Sequence, residues 1–85
     1  MIVKKGSAEW SGGLKDGKGY ISTETGALDH AGYGFAQRFE GKKGTNPEEI
    51  LGAAHAACFS MALSNILSEV DLVADKIETT ASVTL

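Results

Sequence analysis

The sequence predicts an α+β fold: a three-stranded antiparallel N-terminal sheet, a long central helix carrying the cysteine, and the start of a second sheet. Three observations predict it. Residues 1–45 are rich in glycine and turn signals and hold every aromatic residue except Phe59. Residues 46–70 are alanine-rich with a helical pattern. Residues 77–85 alternate with a period of two. A length of 85 residues suits one small domain. With 42% hydrophobic and 22% charged residues, the chain has the composition of a folded protein.

The elements follow in order. Ser7-Ala-Glu-Trp10 alternates polar and apolar residues, as a half-buried strand does. Lys15-Asp-Gly-Lys18 is a turn signal, with Gly17 as the residue expected to supply a positive φ. Tyr20 to Glu24 reads as the returning strand, broken by Thr25-Gly26. Tyr33 to Phe39 reads as a third strand, with Tyr33, Phe35 and Phe39 on one face and Arg38 on the other. Asn46 suits a helix N-cap, Pro47 the first helical position, and Glu48 and Glu49 the positive end of the helix dipole. The helix is expected to run to about Glu69. Its middle is apolar or small nearly all the way round, so it needs cover on every side, and a second copy of the chain is the expected cover. Ile77, Thr79, Ala81, Val83 and Leu85 then share one face of a strand that needs a neighbour.

Several function classes are excluded or disfavoured. A net charge of −3 lacks the broad basic footprint of a nucleic-acid-binding protein. One cysteine forms no internal disulfide, and with two histidines it makes a poor metal set, so no metal is expected. Met1-Ile-Val-Lys-Lys-Gly-Ser7 lacks the apolar core of a signal peptide. The apolar stretch from Ile50 to Leu67 is interrupted by His55, Ser60, Ser64 and Asn65, which speaks against a membrane span. A cytoplasmic protein with a reduced thiol is expected.

Cys58 is the sole thiol. A helical cysteine is either an inert small hydrophobe or, as a thiolate, a nucleophile. The helix dipole is too distant to activate it, because its effect fades within the first turn. A cation must then be brought to the sulfur, and Arg38, the only arginine, is the candidate; its bland alternative is a surface ion pair. His55 precedes Cys58 by three residues and shares its helix face, as a dyad partner or as a neighbour of the site. Glu48 and Glu49 are first of all helix N-terminal acids, and Trp10 is a core or pocket-wall aromatic. Gly17-Lys-Gly19 lacks the third glycine and the strand–helix context of a phosphate loop.

Gly41 to Leu63, with Asn46-Pro-Glu-Glu49 and Ala53-Ala-His-Ala-Ala-Cys-Phe-Ser-Met61, resembles the first cysteine motif of the OsmC/Ohr family of bacteria, the osmotically inducible and organic-hydroperoxide-resistance proteins. The resemblance extends to Trp10, Gly17-Lys-Gly19, Ser22-Thr-Glu24, Tyr33-Gly-Phe35 and Arg38-Phe-Glu-Gly41, and His55 together with that arginine context is similar to the OsmC branch.

The resemblance implies a thiol-dependent peroxidase that reduces organic hydroperoxides, and hydrogen peroxide less readily, in oxidative and osmotic stress defence. It implies Cys58 as the peroxidatic cysteine, Arg38 stabilising the thiolate, and Glu48 holding Arg38. His55 and Glu49 are expected nearby, with Phe35, Phe39, Phe59 and Trp10 as apolar pocket wall. No cofactor is implied beyond an external thiol or dithiol reductant. An intertwined homodimer with shared active sites is implied too, and one distance agrees with it. Glu48 and Cys58 are ten residues apart on one helix, about 15 Å along its axis, so they can meet only between chains. Members of the family are longer and carry a resolving cysteine in their C-terminal half, so residues 1–85 are expected to form the N-terminal portion of one such domain. A non-catalytic dimerisation fragment and a small-ligand-binding α+β domain stay open as alternatives.

Overall fold

The computed structural model describes residues 1–85 and divides into two compact units, residues 1–46 and residues 47–85. The first unit is a three-stranded antiparallel sheet of order β1-β2-β3, with β1 Gly6–Ser11, β2 Lys18–Thr23 and β3 Ala31–Tyr33, followed by a short helix α1, Phe35–Phe39. The second unit is the long helix α2, Pro47–Ser68, and the segment that follows it.

The expected hairpin forms, with Trp10 opposite Gly19 and Ser11 opposite Lys18. Its turn works differently from the expectation. Gly12, not Gly17, holds the left-handed backbone, at φ +93°. Gly17 is needed for closeness instead. A Cβ there would come within 2.6 Å of the Ser11 carbonyl oxygen and 2.8 Å of the Trp10 ring. The turn is tied by Gly17 N–H donating to the Gly13 carbonyl at 2.8 Å and by Gly13 N–H donating to Asp16 Oδ1 at 3.1 Å. On the sheet face away from Trp10, His30 stacks on Tyr20 at 3.9 Å between centroids, with Nδ1 3.7 Å from Glu9.

The third strand is shorter than expected, and its second half is helical. β3 ends at Tyr33, Gly34 is fully extended at φ −166°, and Phe35–Phe39 makes a turn and a half of helix. Phe35 and Phe39 are four residues apart, a spacing that alternation and a helix satisfy equally over so short a run. Their rings meet at 4.8 Å. Arg38 therefore stands with these aromatics rather than on an opposite strand face, its guanidinium 5.3 Å from the Phe39 ring centre. The Thr45 hydroxyl then ties the loop back to the Gly32 carbonyl at 2.8 Å.

In the second unit, α2 begins at Pro47, directly after the buried Asn46, and has Glu48 and Glu49 in its first turn. It ends where expected. Asp71 adopts the left-handed conformation at φ +60°. Leu72 N–H donates to the Leu67 carbonyl at 3.0 Å and Asp71 N–H to the Ser68 carbonyl at 3.1 Å, the paired bonds of a Schellman stop.

The less exposed positions of α2 beyond its first turn are Gly52, Ala56, Ser60, Leu63 and Leu67, one face at intervals of three and four. Residues beyond Ile77 run along this face. Ala81 and Val83 crowd Gly52, whose Cβ would lie 3.2 Å from the Ala81 carbonyl oxygen, and the Ser60 and Thr79 hydroxyls share a hydrogen bond of 2.7 Å. Ile77, Thr79 and Ala81 are half-buried while Glu78, Thr80 and Ser82 are exposed, so the period of two is kept. The start of a second sheet is nevertheless absent: residues 77–85 pair with no strand of this chain. A strand exists only through a ladder, and nothing here supplies one.

No apolar side chain in the chain is fully buried. Leu51, Phe59, Met61 and Ile66 of α2 are all more than half exposed. By length and apolar composition α2 suffices to cross a bilayer. The polar residues His55, Ser60, Ser64 and Asn65 along it are what argue the other way.

Candidate active site

Cys58 sits in the middle of α2 with its thiol exposed. The helix is continuous from Pro47 to Ser68, so Glu48 lies near its start, about 15 Å along the axis from Cys58. Both first-turn glutamates are engaged by other groups, Glu48 half-buried and Glu49 exposed. His55 is exposed one turn before Cys58, and lines an open groove with Phe59 and residues Thr79 to Ser82. No three metal-ligating side chains gather anywhere in the chain.

Arg38, Trp10, Phe35 and Phe39 come together in the first unit. With Leu14, Tyr33 and Gly34 they line a cavity of about 220 Å³. Its walls are two tilted aromatic pairs, Trp10 with Tyr33 at 5.5 Å and Phe35 with Phe39 at 4.8 Å. Arg38 is the only charged side chain lining it. Local sequence explains the wall. Gly19 lies opposite both Trp10 and Tyr33 in the sheet register, and a Cβ there would fall within 2.6 Å of the Trp10 ring and closer still to Tyr33. The two rings thus close over a bare backbone. Trp10 Nε1–H donates to the Gly12 carbonyl at 3.2 Å, which sets the ring's tilt and ties it to the turn.

Sequence reasoning missed Leu14, Tyr33 and Gly34 as lining residues. The signal that points to one of them, Tyr33, is Gly19: glycine inside a strand pattern marks a close approach, here by Tyr33 as well as Trp10. Leu14, an apolar residue in a turn, carried no such mark.

The first unit bears an aromatic cavity with one guanidinium and the second a long helix with one exposed cysteine, and the class these elements define is α+β. Residues 40–85 match the family of OsmC-like proteins. The chain is 61% identical over 84 residues to the peroxiredoxin OsmC of Escherichia coli (strain K12), and equally to that of Shigella flexneri, an alignment covering 99% of this chain and 59% of each relative. It is 37% identical over 57 residues to the organic hydroperoxide resistance protein OhrB of Bacillus subtilis (strain 168), covering 67% of this chain and 42% of that protein. The chain belongs to the OsmC-like family. It spans about three fifths of the length of the OsmC relatives it matches.

Proposed function

We propose that the chain is the cysteine-bearing, N-terminal portion of an OsmC-like thiol peroxidase that reduces organic hydroperoxides to alcohols, and hydrogen peroxide less readily. The observation that carries this reading is the exposure of the single thiol, Cys58, within the segment that matches the family. The relatives' names, a peroxiredoxin and an organic hydroperoxide resistance protein, support the same chemistry.

In this reading the Cys58 thiolate attacks the terminal oxygen of the hydroperoxide. A sulfur–oxygen bond forms as the oxygen–oxygen bond breaks, and two electrons pass from sulfur to the peroxide. The alkoxide leaves and takes a proton from solvent to become the alcohol, while Cys58 is left as a sulfenic acid. An external thiol condenses with it, releasing water. A second thiol then frees Cys58 and departs as a disulfide with the first. No cofactor enters these steps. Arg38 is assigned to the thiolate and the peroxide: its guanidinium favours the anion and has no accessible proton loss with which to quench it. Glu48 is assigned to orient Arg38, with His55 and Glu49 at the periphery.

The functional unit is a homodimer in the cytoplasm, with Glu48 of one protomer serving the site that holds its partner's thiol. The rise of α2 and its exposed Leu51, Phe59, Met61 and Ile66 support this arrangement.

The test is direct. Cumene hydroperoxide is mixed with the protein and dithiothreitol, and loss of peroxide is followed. Turnover that vanishes in Cys58→Ala is expected; equal loss in both proteins, or none above the dithiothreitol blank, refutes the peroxidase reading.

A further inference from the structure

We infer that the Asp16–Gly17 peptide is a site of spontaneous aspartate isomerisation, restrained by the β1–β2 turn and reached when that turn releases the Asp16 carboxylate. The inference is independent of the peroxidase reading.

The chemistry needs a carboxyl on one residue and an unhindered amide nitrogen on the next. Asp16-Gly17 is the only aspartate–glycine step in the chain, and neither asparagine precedes a glycine. The Gly17 nitrogen gives up its proton and attacks Asp16 Cγ. A carbon–nitrogen bond forms, and the carboxyl hydroxyl leaves with that proton as water, giving a five-membered imide. Water then opens the ring at one of its two carbonyls. Opening at Cγ restores aspartate. Opening at the main-chain carbonyl leaves isoaspartate, whose backbone runs through the side chain and is one methylene longer. One water is lost and one regained, with nothing oxidised or reduced.

In the closed turn both reacting groups are engaged by Gly13. The Gly17 N–H donates to the Gly13 carbonyl at 2.8 Å, and Asp16 Oδ1 accepts from the Gly13 N–H at 3.1 Å. Asp16 is exposed, so water reaches the bond without further opening of the sheet. Turn tips open at far lower free energy than the strands they join, and when closing outpaces the chemical step the rate follows the open fraction. Gly13 offers a way to release the carboxylate alone. A Cβ there would lie 2.6 Å from Asp16 Oδ1, so Gly13→Ala displaces that side chain while the Gly13 carbonyl stays as acceptor for Gly17. The product does not fit the turn as it stands. Gly17 packs so closely that a Cβ on it would come within 2.8 Å of the Trp10 ring, and an inserted methylene shifts Gly17 within that space.

Wild type, Gly13→Ala and Asp16→Glu are held at 37 °C and neutral pH, in buffer and in urea. Cleavage after glutamate then releases residues 10–24, in which isoaspartate appears as a second chromatographic peak of equal mass. Trp10, the only tryptophan, reports by its emission that each variant is folded in buffer. In urea, wild type and Gly13→Ala are expected to isomerise at one rate. In buffer, wild type is expected to be at least about tenfold slower, matching a turn open less than about a tenth of the time. Gly13→Ala in buffer should be at least threefold faster than wild type. Asp16→Glu, whose ring would be six-membered, should give no second peak. Accumulated isoaspartate should shift Trp10 emission in wild type. Equal wild-type rates in buffer and urea, no second peak in either, or a folded Gly13→Ala no faster than wild type in buffer overturns the inference.

Discussion

Gly19 has no side chain, and the cavity depends on that. Trp10 and Tyr33 both lean into the space that a Cβ would fill. The substitution Gly19→Ala must push two rings apart inside a sheet, at a cost of about 1–3 kcal/mol for overpacking. A lowered urea midpoint is the expected outcome, together with a shift in Trp10 emission. An unchanged midpoint would mean that the rings move aside freely and do not form a fixed wall. Cys58 differs in kind. Its exposure on α2 is observed, and what the sulfur does there is decided by the peroxide assay with Cys58→Ala, expected to be silent.

Among the elements, α2 is the one whose limits follow from single residues. Pro47 opens it and the left-handed Asp71 closes it. An L-residue in that conformation is penalised by about 1–2 kcal/mol, less for aspartate, and glycine escapes the penalty. Asp71→Gly is therefore expected to stabilise the chain by about 0.5–1 kcal/mol, read as a raised Tm; a lowered Tm would show that the Asp71 side chain contributes more than its backbone costs. Both ends of α2 were legible in the sequence because caps are local chemistry. The β1–β2 hairpin was legible for the same reason. Phe35–Phe39 was not: five residues with aromatics four apart suit a strand or a helix equally, and only the extended Gly34 and the ring contact decide between them. That misreading also moved Arg38 to the wrong side. The cavity was half legible, since Trp10, Phe35, Phe39 and Arg38 stand out by type, whereas Leu14 reaches it only through the fold of its turn.

For the molecule as a whole, the missing core is the dominant fact. Apolar residues make up 42% of the chain, yet none is fully buried. Burial of each large apolar side chain is worth about 1.5–3 kcal/mol, so Leu51, Phe59, Met61 and Ile66 on α2 represent stabilisation that the single chain leaves unrealised and that the proposed dimer would supply. Sedimentation equilibrium is expected to give twice the 8.9 kDa chain mass. The double variant Phe59→Glu with Met61→Glu is expected to fall to the single-chain mass. A wild-type mass of 8.9 kDa that does not rise with concentration would refute the dimer.

Residues 77–85 lie against α2 with their amide and carbonyl groups unclaimed by any ladder. Such an edge is indiscriminate. It can template pairing with any extended segment, a second copy of the same segment included, and self-association that grows with concentration is the expected consequence. Dilute storage is thus expected to keep the chain in solution longer than concentrated storage does.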